Sequence, residues 1–383
     1  MDVKTVEPII ASYLSDKAIK YKIPLSGTFE LSPICNMDCK MCYVKRTRAE
    51  VEKVGRLRTT EEWIKIAEEA KNAGMLFLLI TGGEPLLYKG FKELYLKLVK
   101  MGLIISINTN ATLIDEEMAD FFVQNPPSRL NITLYGGSNE TYERLCGNPK
   151  GFTQVTNAIK YLKERNILVK LNASITPYNK DDIEQIYNFA KENDLYVQFG
   201  CYMFPPVRRD NSAIGQGDRF TEEEAAFYSV QIDKLRMGEE KFIKRSKQIK
   251  EGIISKEDDD EVDEQCERIE GSPMGCRAGK SVFWISWDGK MYPCGMMDSI
   301  SSNPFDIGFI NSWNVILEET KKIRLYSECS DCKYRPICSS CAASIYTETG
   351  SFDKKPEYLC KMYKKIVEYT ELEYNKINEE NNE

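Results

Sequence analysis

Histidine is absent from all 383 residues of this chain. Its absence excludes Ser-His-Asp and Cys-His nucleophile pairs, HExxH metalloproteases and every metal site that depends on an imidazole ligand. Any proton transfer must therefore use Asp, Glu, Lys, Tyr, Cys or water.

Excess positive charge and long apolar runs are missing as well. The formal net charge is -7 and the isoelectric point is near 5.2, whereas nucleic-acid binding needs a basic face, so we expect no nucleic-acid partner. The sequence has no apolar run of about 18 residues and no signal-peptide pattern, so we expect a cytoplasmic protein without a membrane span.

Thirteen cysteines, by contrast, are present, and without a signal peptide they indicate metal binding rather than disulfides. Cys35, Cys39 and Cys42 have the spacing C-x3-C-x2-C, directly after a predicted strand at residues 27–32. Such a loop can bring three thiolates to three corners of a cubane iron–sulfur cluster and leave one iron open for a small molecule. From the spacing alone, a zinc knuckle or three unrelated core cysteines remain alternatives.

Predicted helices and strands alternate along the first half of the chain, which is typical of a parallel sheet built from βα units. Six strands are predicted up to residue 203, too few for a closed eight-stranded barrel. The predicted fold is α/β: a partial (β/α)6 TIM-like barrel followed by a small cysteine-rich α+β iron–sulfur domain. The expected division is 1–26 for an N-terminal helical segment, 27–203 for the barrel, 204–265 for a helical bridge, 266–361 for the cysteine-rich domain and 362–383 for a C-terminal helix and tail.

The second strand is followed by Gly82-Gly83-Glu84-Pro85. Two glycines at the carboxyl end of a parallel strand allow a ligand to approach the backbone closely, and Glu84 could hold an ammonium group. Alone, this segment is a weak turn signal.

Together, the C-x3-C-x2-C loop and the GGEP turn resemble the radical S-adenosylmethionine (SAM) enzymes, over about residues 27–202. The resemblance implies that Cys35, Cys39 and Cys42 hold a [4Fe–4S] cluster whose open iron binds the amino and carboxylate groups of SAM. The residues expected to line SAM are Gly82, Gly83, Glu84, Pro85, Met41, Tyr43, Asn108, Asn110, Arg144 and Ser174. One departure is that Met41 stands where the family usually has an aromatic residue. For Arg144, an exposed helix arginine is the alternative.

A second array of eight cysteines lies in the C-terminal part of the chain. Eight thiols suffice for two fully ligated [4Fe–4S] clusters or two structural zinc ions, and spacing does not separate these alternatives. The array resembles the SPASM extension of radical SAM enzymes, which implies two auxiliary [4Fe–4S] clusters. The first would be held by Cys276, Cys294, Cys341 and Cys266, and the second by Cys329, Cys332, Cys338 and Cys360. A predicted β-hairpin at residues 282–293 would carry Cys294 into place.

Two further cysteines stand outside both arrays. We expect Cys201 to be a core residue, with a redox role inside the barrel as the alternative. Cys146 receives no function.

The SPASM resemblance implies a peptide or protein substrate. We expect oxidative maturation of a ribosomally synthesised peptide by thioether or carbon–carbon cross-linking, through a 5′-deoxyadenosyl radical. A low-potential donor such as ferredoxin or flavodoxin would supply electrons. Only about 26 residues precede the first strand, so a separate protein could supply peptide recognition. Weak candidates for substrate contact are Tyr135, Arg208, Arg209 and Asp298.

Three other functions remain as alternatives. Anaerobic sulfatase-maturating enzymes, which form formylglycine, place an Asp base after the cysteine that corresponds to Cys294, whereas Gly295 follows here. Dehydrogenation of a small molecule is a second alternative. The third is a non-catalytic iron–sulfur or zinc scaffold, although such a scaffold does not need an open iron.

Overall fold

The computed structural model describes residues 9–251, 274 and 276–380. Its strands are β1 (Ser26–Glu30), β2 (Phe77–Thr81), β3 (Ile104–Thr109), β4 (Arg129–Thr133), β5 (Val169–Ser174), β6 (Val197–Gly200), β7 (Val282–Ile285) and β8 (Met291–Tyr292). They form one sheet in the order β6-β5-β4-β3-β2-β1-β7-β8. The first six strands are parallel and adjacent in chain order, which confirms the predicted partial barrel.

Helices connect the strands and cover the sheet. Those of the barrel region are α1 (Ile9–Tyr21), α2 (Arg48–Val54), α3 (Thr60–Asn72), α4 (Phe91–Lys100), α5 (Glu116–Gln124), α6 (Asn139–Cys146), α7 (Gly151–Glu164) and α8 (Ile183–Glu192). The later ones are α9 (Glu222–Met237), α10 (Glu239–Lys250), α11 (Pro304–Ile307), α12 (Phe309–Thr320), α13 (Ala342–Thr349) and α14 (Glu357–Glu380). Among the described helices, none combines the length and the apolar character that crossing a membrane requires.

Helix α3 shows how the local sequence defines a helix and packs it on the barrel sheet. Thr59 caps the helix, and its side chain and that of Glu62 satisfy each other's backbone N–H groups in a capping box. The apolar face of α3 is buried, and the Trp63 ring lies 4.9 Å from the ring of Phe29 on β1. This contact fixes β1, the strand that leads into the loop of Cys35, Cys39 and Cys42 (the thiol loop).

The predicted hairpin is present as β7 and β8, which turn at Gly289 with φ of +90°. Strand β7 pairs in parallel with β1, so the hairpin extends the barrel sheet. The Phe283 ring of β7 packs over Gly27 of β1, where a Cβ atom would lie 2.5 Å from the ring. Glycine at this position therefore allows the hairpin to dock on the barrel.

Helices α9, α10 and α14 share a small core of Val230, Phe242 and Ile377. An ion pair between Lys234 and Glu373, at 3.1 Å, also joins α9 to α14. The described part of the predicted bridge is therefore packed against the C-terminal helix.

We expect Gly27→Ala to lower the free energy of unfolding of the apoprotein by about 1–3 kcal/mol, because the new methyl group overlaps the Phe283 ring. Gly200→Ala on β6 is the matched control, since a Cβ there meets no heavy atom within 4 Å. Urea unfolding measures both, and adding Phe283→Leu to Gly27→Ala should recover part of the loss. Equal unfolding midpoints for the two glycine variants would contradict the docking contact.

Candidate active site

The three thiols of Cys35, Cys39 and Cys42 lie in one loop that follows β1. The Met37 N–H donates a hydrogen bond to the Cys35 sulfur at 3.4 Å, and the Lys45 N–H donates to the Cys42 sulfur at 3.3 Å. Burial raises the pKa of Cys35 to about 12, the Met37 amide opposes this, and the charges of Glu84, Cys39 and Cys42 add to it. The loop therefore places Cys39 and Cys42 close enough for their charges to affect the pKa of Cys35.

The donor set fits a cubane iron–sulfur cluster, because three soft thiols stand on one loop and backbone N–H groups already face two of the sulfurs. Within residues 9–251, 274 and 276–380, no three Cys, Asp or Glu side chains are arranged to hold a metal ion. A cubane needs no such convergence on one ion, since each thiolate binds a different iron atom.

The GGEP turn is pressed against the thiol loop. The Gly83 N–H donates to the Ser32 carbonyl at 2.7 Å, and the Glu84 N–H donates to the Ile34 carbonyl at 3.0 Å. A Cβ atom on Gly82 would lie 2.5 Å from the Ser32 carbonyl oxygen, and one on Gly83 would lie 2.5 Å from that of Ile34. The two glycines are thus required by the approach of the protein's own backbone.

The Glu84 carboxyl group ties the end of β2 to the end of β3. It is fully buried, and its Oε1 accepts from the Leu86 N–H at 3.0 Å and the Thr109 hydroxyl at 2.8 Å. Its Oε2 accepts from the Asn110 N–H at 2.8 Å. Burial raises the pKa of Glu84 to about 7, although these three hydrogen bonds oppose the shift.

Asn110 in turn reaches the thiol loop. Its Nδ2 donates to the Asn36 side-chain oxygen at 3.0 Å and lies 3.6 Å from the Cys35 sulfur as a donor. The structure therefore brings the GGEP turn, the end of β3 and the thiol loop together, as the sequence predicts.

The other predicted SAM-lining residues are more dispersed. Asn108 accepts from the Asn131 side chain at 2.8 Å across β3 and β4. Arg144 donates to the Tyr178 carbonyl at 2.8 Å, and the Ser174 carbonyl accepts from Asn179 at 2.9 Å. Pro85 begins a short 3₁₀ turn, and Met41 packs against the main core.

A buried ion pair joins the loop after β6 to β1. The Arg208 guanidinium donates to both carboxylate oxygens of Glu30 at 2.9 Å, and the exposed fractions of these side chains are 8% and 0%. Arg208 also donates to the Gly295 carbonyl at 3.0 Å, and the Trp284 indole N–H donates to Glu30 at 3.1 Å. These hydrogen bonds connect β1 of the barrel, the loop after β6 and the β7–β8 hairpin region.

Three aromatic rings surround the same guanidinium. The ring centres of Tyr43, Trp284 and Tyr292 lie 6.0, 6.0 and 5.3 Å from the Arg208 Cζ atom. Burial raises the pKa of the Tyr43 hydroxyl, and the charges of Cys42 and Cys294 add to the shift, so Tyr43 lies near both the thiol loop and the second cysteine array. Arg208 is held by these rings in addition to Glu30.

A cavity of about 460 Å³ opens beside this ion pair. Most of its lining side chains are charged or polar, among them Arg46, Arg209, Asp210, Lys290 and Asp298. The Asp298 Oδ1 atom is buried and has no hydrogen-bond partner among the described residues. Of the four predicted substrate contacts, Arg208, Arg209 and Asp298 line this cavity, whereas Tyr135 lies elsewhere, next to Cys39.

Three of the four cysteines in the first predicted auxiliary set lie in the same part of the structure. Cys276, Cys294 and Cys341 pack on one small apolar cluster that includes Met297 and Ala342. Burial raises the pKa of Cys294 to about 11, and the charge of Cys341 adds to this. The fourth predicted ligand, Cys266, lies outside the described residues.

Three of the four cysteines in the second predicted set lie near one another. Burial raises the pKa of Cys360 to about 11, and the charges of Cys329 and Cys338 add to the shift, so these three thiols are close. Cys332 is exposed. Cys360 lies in the first turn of α14, which starts within the predicted cysteine-rich domain.

Sequence reasoning missed Glu30, the partner of Arg208. Glu30 is a lone carboxylate at the end of a buried strand, and such a group needs a buried cation or several donors. That pattern is visible in the sequence, but the partner Arg208 is 178 positions away and has no local signal.

We expect Arg208→Met to lower the free energy of unfolding by about 3–5 kcal/mol, because it leaves the Glu30 carboxylate buried and unpaired. Urea unfolding of the apoprotein measures this loss. The double variant Glu30→Gln/Arg208→Met should lose less than Arg208→Met alone. Lys92→Ala, in an exposed pair with Glu117, is the control and should change stability by less than about 1 kcal/mol. Similar losses for the Arg208 and Lys92 variants would refute the buried-pair role.

The raised pKa of Glu84 predicts a pH-dependent stability. Between its ordinary pKa of 4.5 and its folded pKa of about 7, the native state keeps a proton that the unfolded state releases. Stability from this group is therefore present below pH 4.5 and falls by about 3 kcal/mol as the pH rises to about 7. Glu84→Gln should flatten this slope in urea unfolding between pH 5 and pH 8. Glu93 is exposed, so Glu93→Gln should keep the wild-type dependence of stability on pH. The raised pKa of Glu84 would be contradicted if Glu84→Gln also kept the wild-type dependence.

Comparison with known proteins gives full-length and partial relatives. The AdoMet-dependent heme synthase of Methanosarcina barkeri is 26% identical over 340 residues, which cover 86% of this chain and 94% of that protein. The sporulation killing factor maturation protein SkfB of Bacillus subtilis is 28% identical over 164 residues, 43% of this chain and 39% of that protein.

Solved structures share the fold. Streptococcus suis SuiB bound to S-adenosylmethionine gives a TM-score of 0.62 at 17% identity, covering 94% of this chain and 83% of SuiB. SuiB bound to its precursor peptide SuiA gives 0.64 at 18% identity, covering 93% and 82%. Residues 29–190, which contain the thiol loop and the GGEP turn, match the Radical SAM superfamily. Residues 29–190 therefore form a radical SAM domain, which implies SAM and one [4Fe–4S] cluster as cofactors.

Proposed function

We propose that this chain oxidatively modifies a peptide or protein substrate, as a radical SAM enzyme with a SPASM-type C-terminal domain at residues 266–361. In the most specific form of the proposal, it matures a ribosomally synthesised peptide by a thioether or carbon–carbon cross-link. The observation that carries this proposal is the polar cavity of about 460 Å³ beside Tyr43, a residue close to both Cys42 and Cys294.

Different residues of the chain would have different roles in this reaction. Cys35, Cys39 and Cys42 would hold a [4Fe–4S] cluster that would supply the electron for reductive cleavage of SAM, and the two proposed auxiliary clusters would accept the second electron of an oxidation. Glu84 holds the GGEP turn and Asn110 in place for SAM. The loop that carries Arg208 would wall off the cavity, which limits side reactions with water.

The cavity lining supports a peptide substrate. Arg46 and Arg209 can bind a carboxylate or backbone carbonyl groups, and the unpaired Asp298 oxygen can accept from an amide N–H. SkfB is by name the maturation protein of a sporulation killing factor, and SuiB binds a precursor peptide. We further propose a cytoplasmic location, a ferredoxin or flavodoxin as electron donor, and a separate protein for peptide recognition.

A second candidate is modification of a tetrapyrrole. The heme synthase of M. barkeri matches this chain over 94% of its own length, which favours this candidate. Against it, the cavity has mostly charged and polar walls, whereas a planar macrocycle buries a large apolar surface and needs an apolar site.

The cofactor content is tested on anaerobically reconstituted protein. We expect about twelve irons per chain and 5′-deoxyadenosine after addition of dithionite and SAM. Replacing Cys35, Cys39 and Cys42 by Ala should remove about four irons and abolish 5′-deoxyadenosine. Replacing Cys329, Cys332 and Cys338 by Ala should also remove about four irons but leave SAM cleavage intact. Zinc in place of iron, or no 5′-deoxyadenosine from the wild type, would refute the proposed chemistry.

The substrate class is tested with two sets of probes: synthetic peptides encoded next to this gene, and iron tetrapyrroles with carboxylate side chains. A peptide should increase 5′-deoxyadenosine formation and gain a cross-link that lowers its mass by two hydrogens. Arg209→Ala and Asp298→Asn should weaken this stimulation, while Lys92→Ala should not. Stimulation by the tetrapyrroles alone would replace the peptide proposal with the second candidate.

A further inference from the structure

The cavity beside the Glu30–Arg208 ion pair has charged walls of both signs. Its cations are Arg46, Arg208, Arg209 and Lys290, and its anions are Asp210, Asp288 and Asp298. Two of the cations already have a carboxylate partner: Arg208 pairs with Glu30, and the Lys290 Nζ lies 3.4 Å from an Asp288 oxygen. The other two, Arg46 and Arg209, form no ion pair with any residue that the structure describes. The cavity therefore contains positive charge that the described protein does not neutralise.

Arg46 is held by the backbone of the loop after β6. Its Nη2 donates to the carbonyl groups of Arg208 and Arg209 at 3.0 and 3.4 Å. Its own N–H donates to the Pro33 carbonyl at 3.1 Å, which fixes the segment that follows the thiol loop. Carbonyl groups orient a guanidinium without neutralising its charge. Arg46 therefore sets the position of the backbone that carries Arg209.

Arg209 has a fixed backbone and an uncommitted side chain. Its N–H donates to the Pro206 carbonyl at 2.9 Å, whereas its guanidinium donates to no residue in the described part of the chain. The carboxylate of the next residue, Asp210, accepts from the Ser212 N–H at 2.9 Å and the Ser212 hydroxyl at 2.7 Å, so it is occupied within its own turn. Arg209 is exposed and lines the cavity, so its N–H donors are available to a ligand there.

The same cavity also offers an acceptor. The Asp298 Oδ1 is buried without a hydrogen-bond partner among the described residues, and such an oxygen costs free energy unless a ligand supplies a donor. An acidic residue within a peptide matches both groups, because its backbone N–H can donate to Asp298 and its side-chain carboxylate can accept from Arg209.

This cavity is distinct from the predicted SAM site. Of the residues expected to line SAM, only Tyr43 lines the cavity, and the GGEP turn and Asn110 do not. A carboxylate bound at Arg209 would therefore belong to the substrate.

We propose that the cavity recognises an acidic residue, Asp or Glu, of the peptide substrate, and that Arg209 is the specificity-determining residue that binds its carboxylate. The inference rests on the proposed function and names a chemical feature that its substrate must have. Arginine suits this role because its planar guanidinium binds both oxygens of a carboxylate.

The test measures binding and needs no turnover. Reconstituted holoenzyme with saturating SAM is titrated anaerobically by calorimetry with N-acetylglutamate amide and with its neutral isostere, N-acetylglutamine amide. We expect the acidic probe to bind at least about tenfold more tightly, as hydrogen bonds to a charged group predict. Arg209→Gln should abolish this preference. Arg209→Lys should keep part of it, because the charge remains but the planar fork is lost.

Arg324→Gln is the matched control. Arg324 is also exposed and donates to the backbone carbonyls of Lys321 and Ile323, but it lies outside the cavity. It should leave both affinities unchanged. Equal affinities of the wild type for the two probes, no binding of the acidic probe, or an unchanged preference in Arg209→Gln would each overturn the inference.

Iron tetrapyrroles with carboxylate side chains are the competing source of the same chemistry. If they bind through Arg209 while the acidic probe does not bind, the assignment to a peptide residue is wrong. Failure of the proposed function is recognised separately, by zinc in place of iron or by the absence of 5′-deoxyadenosine. Those outcomes do not depend on the affinities of the two probes, so the two failures are distinguishable.

Discussion

The buried ion pair between Glu30 and Arg208 is the constraint on which the site depends. The sheet is open, and in the order of its strands β6 and β1 are separated by four others. The ion pair nevertheless joins the last residue of β1 to the loop that follows β6. Burying two charges costs several kcal/mol, so the pair persists only because its hydrogen bonds are complete. Glu30 accepts from Arg208 and Trp284, and Arg208 also reaches the Gly295 carbonyl.

Because of that geometry, the hairpin belongs to the active site as well as to the cysteine-rich region. Strand β7 lies directly beside β1, and Trp284 and Gly295 both contact the ion pair. A substrate in the adjacent cavity would therefore meet groups from the barrel, from the loop after β6 and from the hairpin. The cavity forms only when the barrel, the loop after β6 and the hairpin are assembled. This requirement is a physical reason for the hairpin to continue the barrel sheet.

The parts predicted from sequence are those encoded by local spacing. The thiol loop, the GGEP turn, six βα units and the hairpin each depend on residues within a short window, and the structure has all of them. The pairing of β7 with β1 depends on contacts between positions about 250 residues apart, for which one sequence contains no periodic signal. The same holds for Glu30 with Arg208. The glycines of the GGEP turn show a further limit of prediction from sequence. Their pattern suggests the close approach of a ligand, but the atoms nearest to them are the backbone carbonyls of Ser32 and Ile34.

The thiol loop is supported from two sides by different elements. At the Cys39 end, carbonyl groups in the last turn of α6 accept backbone hydrogen bonds from Asp38 and Lys40, and beyond Cys42 the Tyr43 ring centre lies 6.0 Å from the Arg208 Cζ atom. The first support belongs to the barrel alone, whereas the second also touches the hairpin and the cavity. A change at the cavity can therefore reach the Cys42 end of the loop through Arg208, while the Cys39 end stays fixed by the core.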